Sequence, residues 1–361
     1  MYIKEVELKN FRNYEELKLE FHENVNFIIG NNAQGKTNLL ESVFMSSIGK
    51  SFRTSKDSDL IKFNEDFCKI KIKAEKELFP VEVEILIKKD QGKFIKVDGV
   101  NISKTSDLLE NIYIVIFSPE DLKIVKDEPE KRRKFIDREL CLLKPSYYNN
   151  LSNYKKVLQQ RNTYLKEKNV DPSVLDIWDM QLSHYGAKII EERKIFIEQI
   201  NKISKEIHSK ITNGRENLRI EYDPNIKYEE NLENKLYNSL KKSFDNDFRL
   251  RTTTIGPHRD DIDFFIDDIN VRSFGSQGQQ RTAALSLKLA ELNLIKEESG
   301  ENAILLLDDV MSELDSTRQE FLIKSLSDIQ LFITTTEITE ALKEVVKKGK
   351  IYTIEKGTVK L

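Results

Sequence analysis

The sequence predicts an α/β protein with two lobes: a phosphate-binding lobe with an antiparallel side sheet, and a mainly helical second lobe. Three observations predict this class. The stretch GNNAQGKT lies between an apolar run and a helical pattern. From Phe67 to Ile102, apolar and polar residues alternate with the period of a strand. After Pro119, and up to about Asn246, the chain is heavily charged and mostly has helical spacing.

The stretch from Gly30 to Thr37 fits the phosphate-loop pattern G-x-x-x-x-G-K-[ST] at every fixed position. In that motif backbone N–H groups surround phosphate oxygens, Lys36 reaches the β and γ phosphates, and the Thr37 hydroxyl holds Mg²⁺. The alternative is a turn rich in glycine and asparagine, which we disfavour because a strand and a helix pattern flank the loop. The predicted ATP-binding residues are Gly30, Asn31, Asn32, Ala33, Gln34, Gly35, Lys36, Thr37 and Asn38.

Composition bounds the class of protein. The 361 residues suffice for two domains, and 39% apolar with 33% charged residues is typical of a soluble globular chain. No apolar run reaches the roughly 18 residues of a membrane span. The two cysteines, Cys68 and Cys141, have no metal-site spacing and indicate a reduced, cytosolic protein. The net charge of −3 argues against a protein that coats DNA uniformly, yet permits a local basic surface.

The N-terminal third is predicted to consist mostly of strands. Residues 1–29 contain three, hairpin turns at 91–92 and 98–99 divide an antiparallel sheet, and residues 112–117 form a buried strand. Arg12 lies in the turn after the first strand, where it either contacts nucleotide or is an ordinary solvated residue. The C-terminal tail from residue 350 alternates like an edge hairpin.

The middle of the chain is predicted to hold three helices. They begin at Pro129, near Tyr147 and at Val174, and the third runs to about Ile211. That helix would be about 60 Å long, but its heptads are not sustained, so we expect no long coiled coil. The basic run at residues 131–134 is either a solvated helix face or a phosphate contact.

The polar segment RTTTIGPHRDD, which contains His258, lies between short strands predicted at residues 218–222 and 261–269. We expect it to be too polar for the core. It is either a turn held by side-chain bonds to the backbone or a loop that faces nucleotide or DNA.

Two further stretches carry candidate chemistry. In SFGSQGQQR, Ser276 and the amides of Gly275 and Gly278 open a helix and offer a second anion site, although a plain helix cap is the alternative. Two such sites make sense together if each copy offers the second one to the nucleotide of a partner copy. In ILLLDD, a buried strand delivers Asp308 to the sheet edge as a Mg²⁺ ligand, and Asp309 follows as a residue that activates water.

The order GNNAQGKT, SFGSQGQQR, ILLLDDV and SELD resembles the Walker A, signature, Walker B and D-loop motifs of the ABC-type ATPases. Within that class, KNFRNY, IVIFSPEDLKIVKDEPEKRRKFIDREL, TTTIGPHRDD and FITTTE are similar to the RecF family of SMC-like bacterial DNA replication and repair proteins. The resemblance covers nearly the whole chain.

The resemblance implies roles for single residues. Lys36 and Asp309 would be catalytic, Thr37 and Asp308 would hold Mg²⁺, and Arg12 would lie near the nucleotide. The signature residues that would meet the nucleotide of the opposite subunit are Ser276, Gly278 and Gln279.

The chain departs from the ABC pattern in three ways. Asp309 stands where most ABC ATPases have glutamate, so hydrolysis should be slow. The usual switch histidine is replaced, by Thr335 or Thr336. The Q-loop residue is unassigned. Asp315 belongs to the loop that would face the dimer.

The resemblance also implies an architecture and a biology. The ATPase lobe would combine residues 1–118 with 297–361, and the helical lobe, 119–296, would carry the signature motif. ATP would clamp two copies head to tail on gapped duplex at single-strand/duplex junctions, and weak, DNA-stimulated hydrolysis would release them. The family acts with the RecO and RecR mediators in recombinational gap repair, replication restart and SOS induction.

Two other classes of function stay open. The nucleotide-binding subunit of an ABC transporter would need a surface for membrane helices and no DNA. A P-loop nucleoside kinase would not need SFGSQGQQR.

Overall fold

A computed structural model describes residues 1–228, 230–326, 328–338, 342–343 and 346–360. Leu361, the last residue of the predicted tail hairpin, lies outside them. The chain divides into two compact units. We call the first, Met1–Leu122 with Lys288–Leu361, the sheet unit, and the second, Lys123–Leu287, the helical unit.

The strands are β1 Tyr2–Phe11, β2 Tyr14–Glu20, β3 Val25–Ile29, β4 Phe67–Glu75, β5 Val81–Lys88, β6 Gly92–Val97, β7 Val100–Ile102, β8 Ile114–Phe117, β9 Leu218–Asp223, β10 Asp261–Ile266, β11 Ile269–Asn270, β12 Ile304–Asp308, β13 Leu331–Thr335, β14 Gly349–Glu355 and β15 Thr358–Lys360. The helices are α1 Lys36–Ile48, α2 Pro129–Leu143, α3 Pro145–Tyr164, α4 Pro172–Ile211, α5 Leu232–Lys242, α6 Phe244–Leu250, α7 Val271–Phe274, α8 Gln277–Ser299 and α9 Ser316–Lys324.

The sheet unit contains two six-stranded sheets. In the first, with the order β15-β14-β3-β13-β12-β8, all strands except β15 run parallel to their neighbours. The second, β2-β1-β4-β5-β6-β7, is antiparallel throughout. The α/β class, the antiparallel side sheet and the tail hairpin are confirmed, and the first two strands of the chain belong to the side sheet.

Apolar side chains hold the two sheets and α1 together. The strands β4 and β5 bury alternate residues, whereas β8 and β12 are buried along their whole length. That contrast is expected for strands covered on one face and on both faces. One apolar cluster includes Val6 and Ile72 of the side sheet, Leu39 and Val43 of α1, and Phe332 of β13. The start of α1, and with it the phosphate loop, is therefore anchored in the core.

The helical unit combines α2 to α6 with the three-stranded sheet β11-β10-β9. The three predicted helices are confirmed as α2, α3 and α4. The longest, α4, has 40 residues and thus spans about 60 Å. It packs on α3, α5 and β9 of its own unit, so no long coiled-coil arm occurs in the described part of the chain. None of the described helices combines the length and the apolar character needed to span a membrane.

The segment around His258 is partly buried in the helical unit, since Pro257 and Asp260 are buried whereas Arg259 is exposed. The expectation that it is too polar for the core is therefore wrong for Asp260. Asp260 is fully buried, and its carboxylate accepts hydrogen bonds from Arg193 and Tyr222. The Asn225 N–H donates a third, at 2.8 Å. A buried carboxylate is tolerated where donors satisfy it, and these donors lie 35 to 67 residues away in sequence.

The basic run at residues 131–134 is only in part the solvated helix face that was one expectation, because Lys131 and Lys134 are exposed whereas Arg132 is not. Arg132 is almost fully buried, and its guanidinium donates two hydrogen bonds to Asp261, at 2.6 and 2.8 Å. Neither a solvated face nor a free phosphate contact therefore describes Arg132. Lys134 does fit the solvated face, where it pairs with Glu130 at 2.6 Å.

Candidate nucleotide-binding site

The phosphate loop joins β3 to α1. Two of its positions must be glycine because residues outside the loop approach them closely. Gly35 has a φ of 120°, and a Cβ there would lie 2.7 Å from Nδ2 of Asn13. A Cβ on Gly30 would lie 2.5 Å from the carbonyl oxygen of Ile354 in β14. Any other residue at either position would displace its neighbours, so this loop conformation requires both glycines.

Lys36 lies over this loop with little exposure to solvent. Its Nζ donates a hydrogen bond to the Gly30 carbonyl oxygen at 2.7 Å, and only 4% of the residue is exposed. A buried ammonium needs such a partner. A phosphate oxygen held by the N–H groups of the loop would be a stronger, charged partner.

The strand β12 brings Asp308 to the phosphate loop, 271 residues away in sequence. Its Oδ1 accepts hydrogen bonds from Oγ1 of Thr37 and Oγ1 of Thr334, both at 2.9 Å. Burial raises the pKa of this carboxyl, although the two hydroxyls oppose the rise. Carboxylate and hydroxyl oxygens are ligands that Mg²⁺ prefers, and a cation would remove the cost of the buried charge. The residues present therefore fit Mg²⁺.

Asp309 follows in the left-handed backbone conformation, with a φ of 53°. Its N–H donates to Oγ1 of Thr334 at 2.8 Å. Thr334 thus holds both carboxylate residues, whereas Thr335 donates to the Glu337 carbonyl oxygen. Aspartate adopts this conformation more readily than most non-glycine residues, and here the conformation directs the chain away from the strand end at Asp308. The role assigned to Thr335 or Thr336 stays a prediction.

A cavity of about 320 Å³ lies between the phosphate loop and Asp309. It is lined by Asn31, Asn32, Ala33, Gly35, Lys36, Thr37, Asn38, Arg53 and Asp309. Sequence reasoning missed Arg53, since nothing in its neighbourhood marks it. Its Nη1 donates to Oδ1 of Asn38 at 2.7 Å, which directs a second cation into the cavity.

Arg12, by contrast, is bound to α1. Its Nε and Nη2 donate to the fully buried carboxylate of Glu41 at 2.8 and 2.7 Å. Its Nη1 donates to the Asp59 carbonyl oxygen. Arg12 does not line the cavity described above, and its contact with nucleotide stays a prediction.

Two other segments hold the phosphate loop at Gln34, and no sequence pattern predicted them. Nδ2 of Asn13 and the Gly357 N–H both donate to the Gln34 carbonyl oxygen, at 2.8 and 3.0 Å. The Lys356 N–H donates to Oε1 of the same residue at 2.7 Å. The turn between β14 and β15 is therefore attached to the loop.

The signature stretch forms a helix cap in the helical unit. Oγ of Ser276 accepts from the Gln279 N–H at 3.2 Å, and Oε1 of Gln279 accepts from the Ser276 N–H at 3.0 Å. This reciprocal pair is a capping box. Ser276 is nevertheless exposed, and Gly278 lies in the first turn of α8. The Gly275 N–H, predicted for the anion site, instead donates to the Val271 carbonyl oxygen at 3.0 Å. The helix cap is confirmed, and the anion site at Ser276 and Gly278 stays a prediction.

Asp315, predicted for the dimer-facing loop, caps α9. Its carboxylate accepts from the Arg318 N–H at 3.0 Å. Its second role, toward a partner copy, stays a prediction.

Comparison with known proteins places these features in a family. The family described as RecF/RecN/SMC N terminal domain matches residues 2–360. A DNA replication and repair protein RecF of Clostridium botulinum (strain 657 / Type Ba4) is 49% identical over 362 residues, covering all of both chains. Another, from Alkaliphilus oremlandii (strain OhILAs), is 46% identical and covers 99% of this chain and 100% of its own length.

A solved structure provides a third comparison. The recombination mediator protein RecF-ATPrS in the RecFOR pathway matches with a TM-score of 0.92 and 40% identity, covering 99% of this chain and 97% of the other. From the phosphate loop to the tail hairpin, this chain shares sequence and fold with these proteins over nearly its full length, and it belongs to the RecF family of the SMC-like ATPases.

Proposed function

We propose that this chain is an ATP-dependent, DNA-binding clamp that acts in recombinational repair of gapped DNA in the cytoplasm. One observation carries the proposal: the contact of Asp308 with Thr37 beside the phosphate loop, which assembles a Mg²⁺–ATP site from residues far apart in sequence. The family relatives support it, since one is a solved RecF-ATP of the RecFOR pathway and others are DNA replication and repair proteins.

Each residue of the site has a distinct task in this proposal. The loop N–H groups and Lys36 bind the β and γ phosphates. Thr37 and Asp308 would hold Mg²⁺, which when bound would supply positive charge beside the phosphates. Arg53 contributes a second cation at the cavity. Asp309, held by Thr334, orients the attacking water and accepts its proton. Because its side chain is one methylene shorter than glutamate, hydrolysis is slow and ATP binding dominates the cycle.

Dimerisation completes the site. The exposed cap at Ser276, with Gly278 and Gln279, offers small donors and a helix N-terminus to the γ-phosphate held by a second copy. Two copies thus assemble head to tail around two nucleotides, and hydrolysis releases them. We assign the ATPase lobe to residues 1–118 and 297–361, and the helical lobe to 119–296. The division into compact units after Leu122 and Leu287 supports such a discontinuous lobe.

The DNA that the clamp holds is gapped duplex at single-strand/duplex junctions, and the partners are RecO and RecR. The name of the RecFOR pathway in the solved relatives supports this choice of partners. Replication restart and SOS induction would follow from the same activity.

The deciding experiment is molecular mass in solution with and without Mg²⁺–ATP. We expect the wild type to become a dimer with ATP. Ser276→Arg should stay monomeric while it binds ATP as the wild type does, because the change blocks only the surface offered to a partner. Lys36→Arg should lose the response because the phosphates lose their lysine. A gel shift on gapped duplex should show tighter binding with ATP. A wild type of equal mass in both nucleotide states contradicts the clamp.

A further inference from the structure

The helical unit contains a cavity of about 230 Å³ between α2, α3, α4 and the turn at Pro257. Its walls are mainly apolar and come from Leu151 and Tyr154 of α3, Ile189 of α4, and Pro257. Small-molecule sites usually measure about 300–1,000 Å³. This cavity therefore has room for a single flat ring system and little more.

The polar groups at the bottom of the cavity are bonded within the unit. The Tyr154 hydroxyl and Nδ1 of His258 lie 2.7 Å apart, and Nε2 of that histidine lies 3.0 Å from the Thr253 carbonyl oxygen. Arg193 donates to Asp137 at 2.8 Å. The bottom of the cavity thus offers a ligand apolar contact and no charge that lacks a partner.

The mouth of the cavity is cationic. Lys134 and Lys155 are exposed there, Arg133 is half-buried, and Glu130 is the one exposed acidic residue among the lining side chains. Lys134 pairs with Glu130 at 2.6 Å and Lys155 with Asp137 at 3.2 Å. Among the described residues, the Arg133 guanidinium makes one hydrogen bond, from Nη1 to the Asp260 carbonyl oxygen at 2.7 Å. Its Nε and Nη2 are left for another acceptor.

The environment of Arg133 favours an anion. Burial, and then the nearby charge of Arg193, lower the pKa of the Arg133 guanidinium. A group whose charged form is disfavoured in this way is stabilised by an opposite charge within about 4–6 Å. The carboxylates of Asp261, Asp260 and Glu130 oppose this lowering, and an anion at the mouth would add to their effect on the charged form of Arg133.

We propose that this cavity receives one unstacked base of single-stranded DNA, while Arg133, Lys134 and Lys155 bind the neighbouring phosphates. The inference rests on the proposed DNA-binding function and names a part of the surface that performs it. A base supplies a flat ring for the apolar walls, and phosphodiesters supply acceptors for the Arg133 nitrogens that the described residues leave open. A base in a duplex is paired and stacked, so only a single-stranded stretch can fill the site. Since the described polar groups at the bottom are bonded to one another, base identity should matter little.

The test is fluorescence anisotropy of the full chain with Mg²⁺–ATP, a single-stranded oligothymidylate and a duplex of equal length. Leu151→Trp fills the cavity without changing charge. It should weaken binding of the single strand by about tenfold, the size of one lost base stack, and leave duplex binding unchanged. An oligonucleotide of abasic sites should bind the wild type more weakly than the thymidylate, and this difference should vanish in Leu151→Trp.

Lys155→Gln tests the mouth, with Lys156→Gln as the matched control on the same helix, because Lys156 is exposed and does not line the cavity. The first change should weaken single-strand binding and reduce the salt dependence by about one phosphate contact. The second should do neither. Thermal unfolding and ATP binding of each variant establish that it is folded. If Leu151→Trp does not fold, Lys155→Gln still tests the proposal.

The outcomes separate this inference from the proposed function. If the wild type binds DNA equally with and without ATP, the clamp proposal fails. If ATP-dependent binding of the single strand persists at full strength in both cavity variants, or if Lys156→Gln weakens it as much as Lys155→Gln, the cavity is not a DNA site although the clamp stands.

Discussion

The helical unit buries three arginine side chains, and each of them meets carboxylates of the same unit. Arg132 pairs with Asp261, at 2.6 Å. Arg161 pairs with two carboxylates at 2.7 and 2.8 Å, and so does Arg193 at 2.8 and 2.9 Å. These charges have their counter-charges inside the fold, and they hold helices and turns in one arrangement.

In the sheet unit, the charged groups of the nucleotide site have different partners from the buried arginines of the helical unit. Asp308 has hydroxyl partners and a neighbouring carboxylate, and its pKa is raised by burial. Lys36 has carbonyl partners, the nearest at 2.7 Å. The comparison shows that a buried charge paired within the chain serves architecture, whereas one that lacks a counter-charge indicates a place for a ligand.

The largest effect should come from breaking a paired charge. Arg193→Met leaves the fully buried Asp260 without its cation, while Asp137 keeps Lys155 at 3.2 Å, and it should cost about 3–5 kcal/mol of unfolding free energy. Urea denaturation measures the change. Lys205→Ala, an exposed position on the same helix, is the control and should change stability by less than about 0.5 kcal/mol. A loss below about 1 kcal/mol for Arg193→Met would contradict the structural role of this network.

His258 should make the free energy of unfolding depend on pH in the acid range. Burial lowers the pKa of His258 from 6.5 to about 4, so between these pH values the unfolded chain binds more protons than the folded one. Stability should therefore be complete above pH 6.5 and should fall by at most about 3 kcal/mol as the pH drops to 4. In His258→Gln the urea midpoint should change less with pH between 6.5 and 4 than it does in the wild type. A pH dependence parallel to that of the wild type would show that another group is responsible.

Gly357 tests the attachment of the tail turn to the phosphate loop. The residue has a φ of 75°, and a Cβ there would lie 2.4 Å from the Asn13 carbonyl oxygen. Gly357→Ala should cost about 2 kcal/mol and weaken ATP binding, because the turn must move away from Gln34. Gly99→Ala is a close control, since its φ is 78° with nothing within 4 Å of the added Cβ. Equal losses in thermal stability and equal ATP affinity in the two variants would mean that the contact has no effect.

The smallest effect on stability should come from Asp308→Asn, and it should be an increase, unlike the losses expected above. Because the folded pKa of this carboxyl is raised, its favourable contribution exists at low pH and is lost as the pH rises through the folded pKa. Without nucleotide at neutral pH, the amide should raise the Tm, by up to about 2 °C. The increase in Tm that the wild type shows with Mg²⁺–ATP should disappear. Asp90→Asn removes an exposed charge and should change neither value.

Much of the nucleotide site was accessible from the sequence because its signals are local. The phosphate loop depends on spacing within eight residues, and the apolar run before Asp308 ends at the edge of the parallel sheet, as α/β proteins require. Each pattern needs one kind of side chain at one spacing, so it can be recognised without knowledge of the fold.

The remaining contacts depend on partners that the spacing does not specify. Asp260 looked solvated because its arginine lies 67 residues away, and Arg53 looked like any surface cation although Asn38 holds it in the cavity. The identity of a polar residue does not show whether its side chain faces water or a buried partner. Only the folded arrangement distinguishes the two.

The attachment of the tail turn has a consequence for biosynthesis. Gln34 leaves the ribosome early, but the Lys356 N–H that holds it is 322 residues further along. The strands beside β3, namely β13 and β14, are also translated late. A nascent chain therefore carries a phosphate loop without these supports until Lys356 has been translated, and the capacity to retain a triphosphate arises only after that point.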